Sequence, residues 1–386
     1  MNIMFITKYP PIQGGESGKA YWLIKALGER GHNISVVSNC MEVENEYRAH
    51  LDENDIALLQ PRGVKLYSSF PVEKPWFIPQ TNPYCEKLVS LALEASEERN
   101  PDLVYSWYLV PYSVAGHTLC KSIGKKHLIQ HAGSDITRLF NNPYLHTFLR
   151  RVVIEADAVL TSRKLENFFK EIGCRKVFTH HPTFPEEFNP YENKIDFKEE
   201  LSLDINLDRT FLFLGKMSKA KGIDYLIEAF AKVRSEKHLI IAGGGNYIGA
   251  CQKRISALGT NNIHFIGILP PWKIPRLIRN VKAVVIPEYN FGVPIHRSRI
   301  PFEAVLCGKT PIISNQVFHK YRSIASYAVS VDPPDTTKFA KTLEEVLSDA
   351  DINKKVIEAY PTLRKEIGRY DDYVTYMENI LQDAAS

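Results

Sequence analysis

Two glutamates stand where an acid could work on a bound ligand. Glu288 follows the apolar run Val284-Val-Ile-Pro, and Glu303 opens the stretch Glu303-Ala-Val-Leu-Cys-Gly308. The apolar run is too short for a buried helix and reads as a buried strand. Ile300, Ala304 and Leu306 mark a helix that stops near Gly308, and Pro311-Ile312-Ile313 reads as the next strand. Glu288 is therefore expected at the carboxyl end of a parallel strand, with Glu303 on the helix behind it. Ligands of open α/β sheets bind at that edge. The pair reads either as the centre of an active site or as two solvated surface acids, and spacing alone does not separate these.

Cations and glycines accompany the acids. Thr210-Phe-Leu-Phe-Leu214 reads as a strand that runs into Gly215-Lys216-Met-Ser-Lys219-Ala-Lys221-Gly222. Lysines on such a loop can neutralise a diphosphate, or can simply be solvated. A second strand runs into Gly243-Gly244-Gly245, and a third ends before Gly267. Near the start of the chain, Gly14-Gly15 precedes a helix with Ala20, Leu23, Ile24 and Leu27 on one face. Glycines there allow backbone N–H groups to approach an anion, though a plain tight turn has the same letters. Neither the dinucleotide nor the P-loop fingerprint is present.

A further strand ends in His131-Ala-Gly133-Ser134-Asp135. His131 could donate to a ligand oxygen and Asp135 could accept from a hydroxyl; alternatively the histidine caps its own loop. The proline-rich stretch 67–84 could stack on a sugar or lipid or pack onto its own domain, and the aromatic loop at Trp107-Tyr108 is expected to face the acceptor. Asp52-Glu-Asn-Asp55 reads as a solvated face, and His180-His181 lacks the further ligands a metal site needs.

The elements that must carry these residues alternate strand and helix throughout, which argues for two doubly wound α/β domains. A chain of 386 residues suffices for both, with the boundary across the proline-punctuated, charged stretch 182–207. No apolar stretch approaches the roughly 20 residues of a membrane span. A net charge of +4 permits contact with anionic membrane or nucleic acid without arguing for it. Six scattered cysteines without a C-x-x-C pair suit a reducing cytoplasm.

The ordered set of motifs resembles the retaining GT-B glycosyltransferases of family 4, the glycosyl transferases group 1. It comprises the opening Pro-Pro-x-x-Gly14-Gly15 loop, His131 to Asp135, and Gly215 to Leu226. It continues with Ile241-Ala-Gly-Gly-Gly, Glu288 with Phe291-Gly292-Val-Pro294, and Phe302 to Pro311. The resemblance implies an α/β GT-B fold: two Rossmann-like doubly wound domains facing each other across a cleft, with the last helix crossing back. Residues 1–185 would form the acceptor-binding domain, 186–365 the nucleotide-sugar domain, and 366–386 the returning helix.

The resemblance also implies roles. His131 and Glu288 would be catalytic, beside the donor sugar. Gly14, Gly15, Lys216, Lys221, Phe291 and Gly292 would hold the donor diphosphate, and Glu303 the ribose. Gly243, Gly244 and Gly267 would lie on nucleotide-binding loops, and Trp107, Tyr108, Asp135 and Arg138 would face the acceptor. The implied reaction moves a sugar from a nucleotide diphosphate to a hydroxyl or amine with retention, using no metal or cofactor. Partners would be the nucleotide-sugar donor and a small-molecule, lipid or glycan acceptor, not nucleic acid. The setting would be the cytoplasm; the basic residues Lys125, Lys126, Arg150 and Arg151 read either as a solvated face or as contacts to an inner membrane face. A GT-B nucleotide-sugar epimerase or hydrolase, or a non-catalytic binding module, are the alternatives.

Three departures from the family pattern stand out. Lysine occupies position 216 where arginine is usual, which loses a two-pronged phosphate grip. Glu288 and Glu303 are 15 positions apart, farther than usual, with the basic segment Ile295 to Pro301 between them. The usual Asn-Gly-Val-Asp before Phe188-Asn-Pro190 is missing.

Overall fold

The structure is a computed structural model, and it describes residues 1–71, 83–133, 135–180, 183–290, 292 and 297–386. The chain divides into two compact units. The first comprises Met1–Glu44, Leu51–Thr183 and Tyr370–Ser386, and the second Asn45–His50 and Phe184–Arg369.

The first unit holds strands β1 (Asn2–Thr7), β2 (Asn33–Ser38), β3 (Val64–Ser68), β4 (Leu103–Trp107), β5 (Lys126–Gln130), β6 (Ala158–Thr161) and β7 (Val177–Thr179). They form one parallel sheet in the order β3-β2-β1-β4-β5-β6-β7. The strands are short apolar runs because helices cover both faces. Met4, Ile6 and Val104 pack with Leu88, Ala92 and Leu119, and Ile129 and Val159 with Leu149, Val152 and Phe169. The last helix, Tyr370–Ala385, buries Tyr373, Val374, Met377 and Leu381. Arg30 pairs with its Asp371 and Glu378, and Tyr376 Oη donates to the Thr179 carbonyl at 2.7 Å.

The second unit holds β8 (Thr210–Leu214), β9 (His238–Ala242), β10 (Ile263–Gly267), β11 (Ala283–Ile286), β12 (Thr310–Ser314) and β13 (Val329–Val331). They form a parallel sheet in the order β10-β9-β8-β11-β12-β13. The strand order reverses between β1 and β4 in one unit, and between β8 and β11 in the other. A crevice opens at such a switch point, outside the carboxyl ends of the strands. Arg279 ties the entry segment to the second unit by donating to the carbonyls of Glu187, Asn189 and Asn193 at 2.7 to 3.0 Å.

One expectation is corrected here. Within the stretch 52–55, Asp52, Glu53 and Asn54 are exposed as expected, but Asp55 is not. Asp52 caps the helix Glu53–Leu58 by accepting from the Asp55 amide, and the Asp55 side chain accepts from the Asp52 amide. This reciprocal box buries Asp55.

A polar relay crosses the core of the first unit. Ser113 Oγ donates to the Tyr108 carbonyl at 2.7 Å, and Ser106 Oγ donates to Ser113 Oγ at 2.9 Å. Each hydroxyl has thus spent its proton, so His127 Nε2, 2.7 Å from Ser106 Oγ, must be the N–H that donates to it. His127 Nδ1 is then the bare acceptor, and it is buried with no hydrogen-bond partner among the described residues. Burial pushes the His127 pKa down to about 3. The unfolded chain takes a proton near pH 6.5 that the folded chain refuses. The stability from this neutral histidine is therefore full above pH 6.5 and declines as pH falls toward 3. Between pH 7 and 5 the decline is expected to reach about 2 kcal/mol. Urea denaturation of wild type and His127→Gln at the two pH values should show it as a shallower dependence in the variant, with His131 and Asp135 titrating in both proteins. An equally steep dependence in the variant would assign it to other groups.

Candidate functional site

Lys221 and Glu288 meet at the switch point of the second sheet. Gly222, at φ +68°, ends the turn after β8, and a Cβ there would stand 1.8 Å from the Pro287 carbonyl oxygen. The Tyr289 amide donates to the Ala220 carbonyl at 3.1 Å. The turn is thus laid directly against the end of β11, and the Lys221 ammonium forms an ion pair with the Glu288 carboxylate. The side chains are only 13% and 3% exposed. A charge so far from water requires its partner.

The glycine turn after β9 is explained by backbone contact. The Gly215 amide donates to the Ala242 carbonyl at 3.0 Å, and the Met217 amide to the Gly244 carbonyl at 2.8 Å. A Cβ on Gly243 would stand 1.8 Å from the Gly215 oxygen, and one on Gly244 would stand 2.2 Å from the Glu46 oxygen. The exposed Lys216 places its ammonium 4.8 Å from the centroid of Tyr47. Segment 45–50, which sequence reasoning did not single out, therefore borders the lysine loop. Gly267 is exposed at φ +71°, with nothing within 4 Å of an added Cβ.

Behind Glu288 the chain is braced from β12. Asn290, at φ +52°, donates its amide to Gln316 Oε1 at 2.9 Å, and Ser314 caps the short helix that carries Gln316. Gly292 is exposed at φ +70°. Phe291, expected to assist at the diphosphate, lies outside the described residues. Glu303 sits in the first turn of the helix Ile300–Leu306, 3.6 Å from the Arg299 guanidinium.

In the first unit, Gly14 at φ +129° precedes the helix Gly15–Glu29, whose amino terminus has no side-chain cap. Glu16 in its first turn pairs with Lys19 at 2.6 Å. Its charge also acts on His131, Asp135 and Tyr108. Glu16 thus joins this group, a role its sequence position did not announce.

His131 is engaged at both ring nitrogens. Nδ1 lies 3.1 Å from the Ala132 carbonyl, which can only accept, so Nδ1 carries the proton. Burial holds the pKa down at about 4, so the ring is neutral at pH 7. Nε2 then accepts from the Thr161 hydroxyl at 2.7 Å. Donation to a ligand, expected from the sequence, would require the ring to leave one of these partners.

Two acceptor-side expectations are corrected. Trp107 is 1% exposed and packs parallel to Tyr105 in the core, because the last residue of β4 points its ring inward. Asp135 is buried and accepts from the amides of Leu109 and Ala132 at 3.2 and 2.8 Å. It ties the loop after β4 to the loop after β5 rather than offering itself to a hydroxyl. Burial pushes its pKa up to about 6 against those two hydrogen bonds. Tyr108, beside it, holds φ +80° and packs on Tyr112, and Arg138 is exposed. The basic residues considered for a membrane face are partly neutralised: Lys126 pairs with Asp157 and Arg151 with Glu155. Among the described residues, no group of three metal-ligating side chains occurs, and no helix is long and apolar enough to cross a membrane.

Comparison with known proteins bears on the second unit most directly. Residues 195–362 match the family model described as glycosyl transferases group 1. An uncharacterized glycosyltransferase of Methanocaldococcus jannaschii is 24% identical over 371 residues, covering 90% of each chain. Sucrose-phosphate synthase from Thermosynechococcus elongatus superposes with a TM-score of 0.69 at 15% identity, covering 100% of this chain and 99% of that one. HepE of Anabaena, solved with UDP and glucose, superposes with a TM-score of 0.67 at 16% identity, covering 99% of this chain and 100% of that one. These likenesses establish the GT-B fold.

Proposed function

We propose that the protein, whose residues 195–362 match the family model described as glycosyl transferases group 1, transfers a hexose from a nucleotide diphosphate sugar to an acceptor hydroxyl or amine, with retention of configuration and without a metal. The observation that carries this is the buried Lys221–Glu288 pair at the switch point of the second sheet. Lys221 and Lys216 supply cations where a leaving diphosphate gains charge, the form of stabilisation that counts most in a water-poor site. Glu288 holds Lys221 in place before the donor arrives. Once the ammonium turns to the diphosphate, the carboxylate is released toward a hydroxyl of the transferred sugar. Glu303, on the helix behind, is assigned to the ribose. The nucleotide and sugar bound to HepE support a nucleotide-sugar donor here.

The test uses a panel of nucleoside diphosphate hexoses with an acceptor extract, with and without chelator, and proton NMR of the product's anomeric signal. Transfer unaffected by chelator, with the donor's own anomeric configuration, is expected. An inverted product would remove the retention assignment. Complete donor turnover without acceptor would make the protein an epimerase or hydrolase.

A further inference from the structure

Two histidines meet at the edge of the second sheet. His238 opens β9, and His264 is the second residue of β10, the edge strand. The register pairs His264 with Ile240, two residues beyond His238, so both rings leave the same face of the sheet. Leu239, Ile241, Ile263 and Phe265 leave the other face and join the core there. His238 Nδ1 lies 3.2 Å from His264 Nε2, with the ring centroids 5.5 Å apart. Both rings are half-buried. Their other nitrogens, His238 Nε2 and His264 Nδ1, have no hydrogen-bond partner among the described residues.

A proton shared between the two rings satisfies one nitrogen of each, at the long end of the hydrogen-bond range. The same spacing is that of two neighbouring ligands on one metal ion. With metal–nitrogen bonds of about 2.0–2.1 Å, nitrogens at right-angled to tetrahedral positions stand about 2.8–3.4 Å apart. A tilt of each ring turns both lone pairs onto one ion, and the other two nitrogens then keep the ring protons. Burial lowers the pKa of both rings, and the neighbouring His238 lowers that of His264 further, so both are neutral at pH 7, the form that binds a metal.

We infer that His238 and His264 form a two-imidazole site for a late first-row divalent metal ion, with water completing its coordination. Imidazole suits Cu²⁺, Ni²⁺ and Zn²⁺, and Cu²⁺ binds most tightly of these. The ion fastens the edge strand β10 to β9. The pair stands at the amino end of β9, whereas the turn Gly243–Gly245 follows its carboxyl end, so the site is independent of the donor site proposed above.

Chelator-washed protein is titrated calorimetrically with CuCl₂ and, separately, with ZnCl₂. Saturable binding of one ion per chain is expected, tighter for Cu²⁺, with a rise in melting temperature. Electron paramagnetic resonance of the Cu²⁺ form should show coupling to two imidazole nitrogens. His238→Gln and His264→Gln should each weaken binding by at least about tenfold and remove that coupling pattern. His264→Cys restores a ligand and should recover Zn²⁺ binding, which separates loss of a ligand from loss of local structure. His181→Gln alters the His180-His181 pair and should bind like wild type. No saturable site in wild type, undiminished affinity in either glutamine variant, or lost affinity in His181→Gln would overturn the assignment.

Discussion

Lys221→Ala is expected to lower transfer turnover by about two to three orders of magnitude and to destabilise the second unit by about 3–5 kcal/mol. The two effects share one cause. In the resting protein the ammonium is the partner of a carboxylate that is almost wholly removed from water. Deleting it leaves Glu288 buried and unanswered, and an uncompensated buried charge costs far more than an exposed ion pair contributes. The double replacement Lys221→Met with Glu288→Gln removes both charges while keeping similar volume. It should recover most of the lost stability and none of the activity. Urea denaturation and donor turnover, measured on both variants, separate the structural effect from the catalytic one. A Lys221→Ala protein that unfolds at the wild-type urea concentration would show that the pair is not buried. One that turns over normally would remove Lys221 from the diphosphate.

Gly222→Ala should be the most damaging single methyl addition in the site, at about 2–4 kcal/mol. Two penalties combine. At φ +68° a side chain costs about 1 kcal/mol of backbone strain, and the added Cβ would have to displace the Pro287 carbonyl, 1.8 Å away. Pro287 precedes Glu288, so relief of that clash moves the carboxylate away from Lys221 and should reduce turnover as well. Gly267→Ala is the matched control. Gly267 has nearly the same φ, +71°, but nothing within 4 Å of the new methyl. It should therefore lose only the strain. Equal losses in the two variants would mean that the close approach to Pro287 does not matter.

Strand placement was legible because its causes are local. Val284 to Ile286 is an apolar run that only a buried strand of that length can use, and it forms part of β11. Gly215, Gly222, Gly243 and Gly308 punctuate the chain where helix and strand give way to turns. The expectation that Glu288 follows a strand and that Glu303 lies on the next helix is what the structure contains. The resemblance to group 1 glycosyl transferases rested on the same turns, since motifs in this fold are the loops at strand ends.

Side-chain partnership was not legible in this way. Trp107 and Asp135 looked like surface groups because they sit at strand ends. Direction at the last residue of a strand depends on which neighbour packs there, and β4 turns its tryptophan onto Tyr105. Asp135 is claimed by the amide of Leu109, 26 positions earlier. His131 is claimed by Thr161 on β6. None of these partners follows from periodicity.

By itself, then, the sequence determined the alternation of strand and helix, the turns, and which residues stand at carboxyl ends, because each depends on a few neighbouring residues. Only the tertiary structure decided that Lys221 answers Glu288, 67 positions away. It also placed segment 45–50 beside the lysine loop and Arg297 over the ring of Phe302. The meeting of Lys221 and Glu288 depends on strand order. Placing β11 next to β8, with β9 on the other side, brings distant loops to one edge, and no local preference encodes that choice.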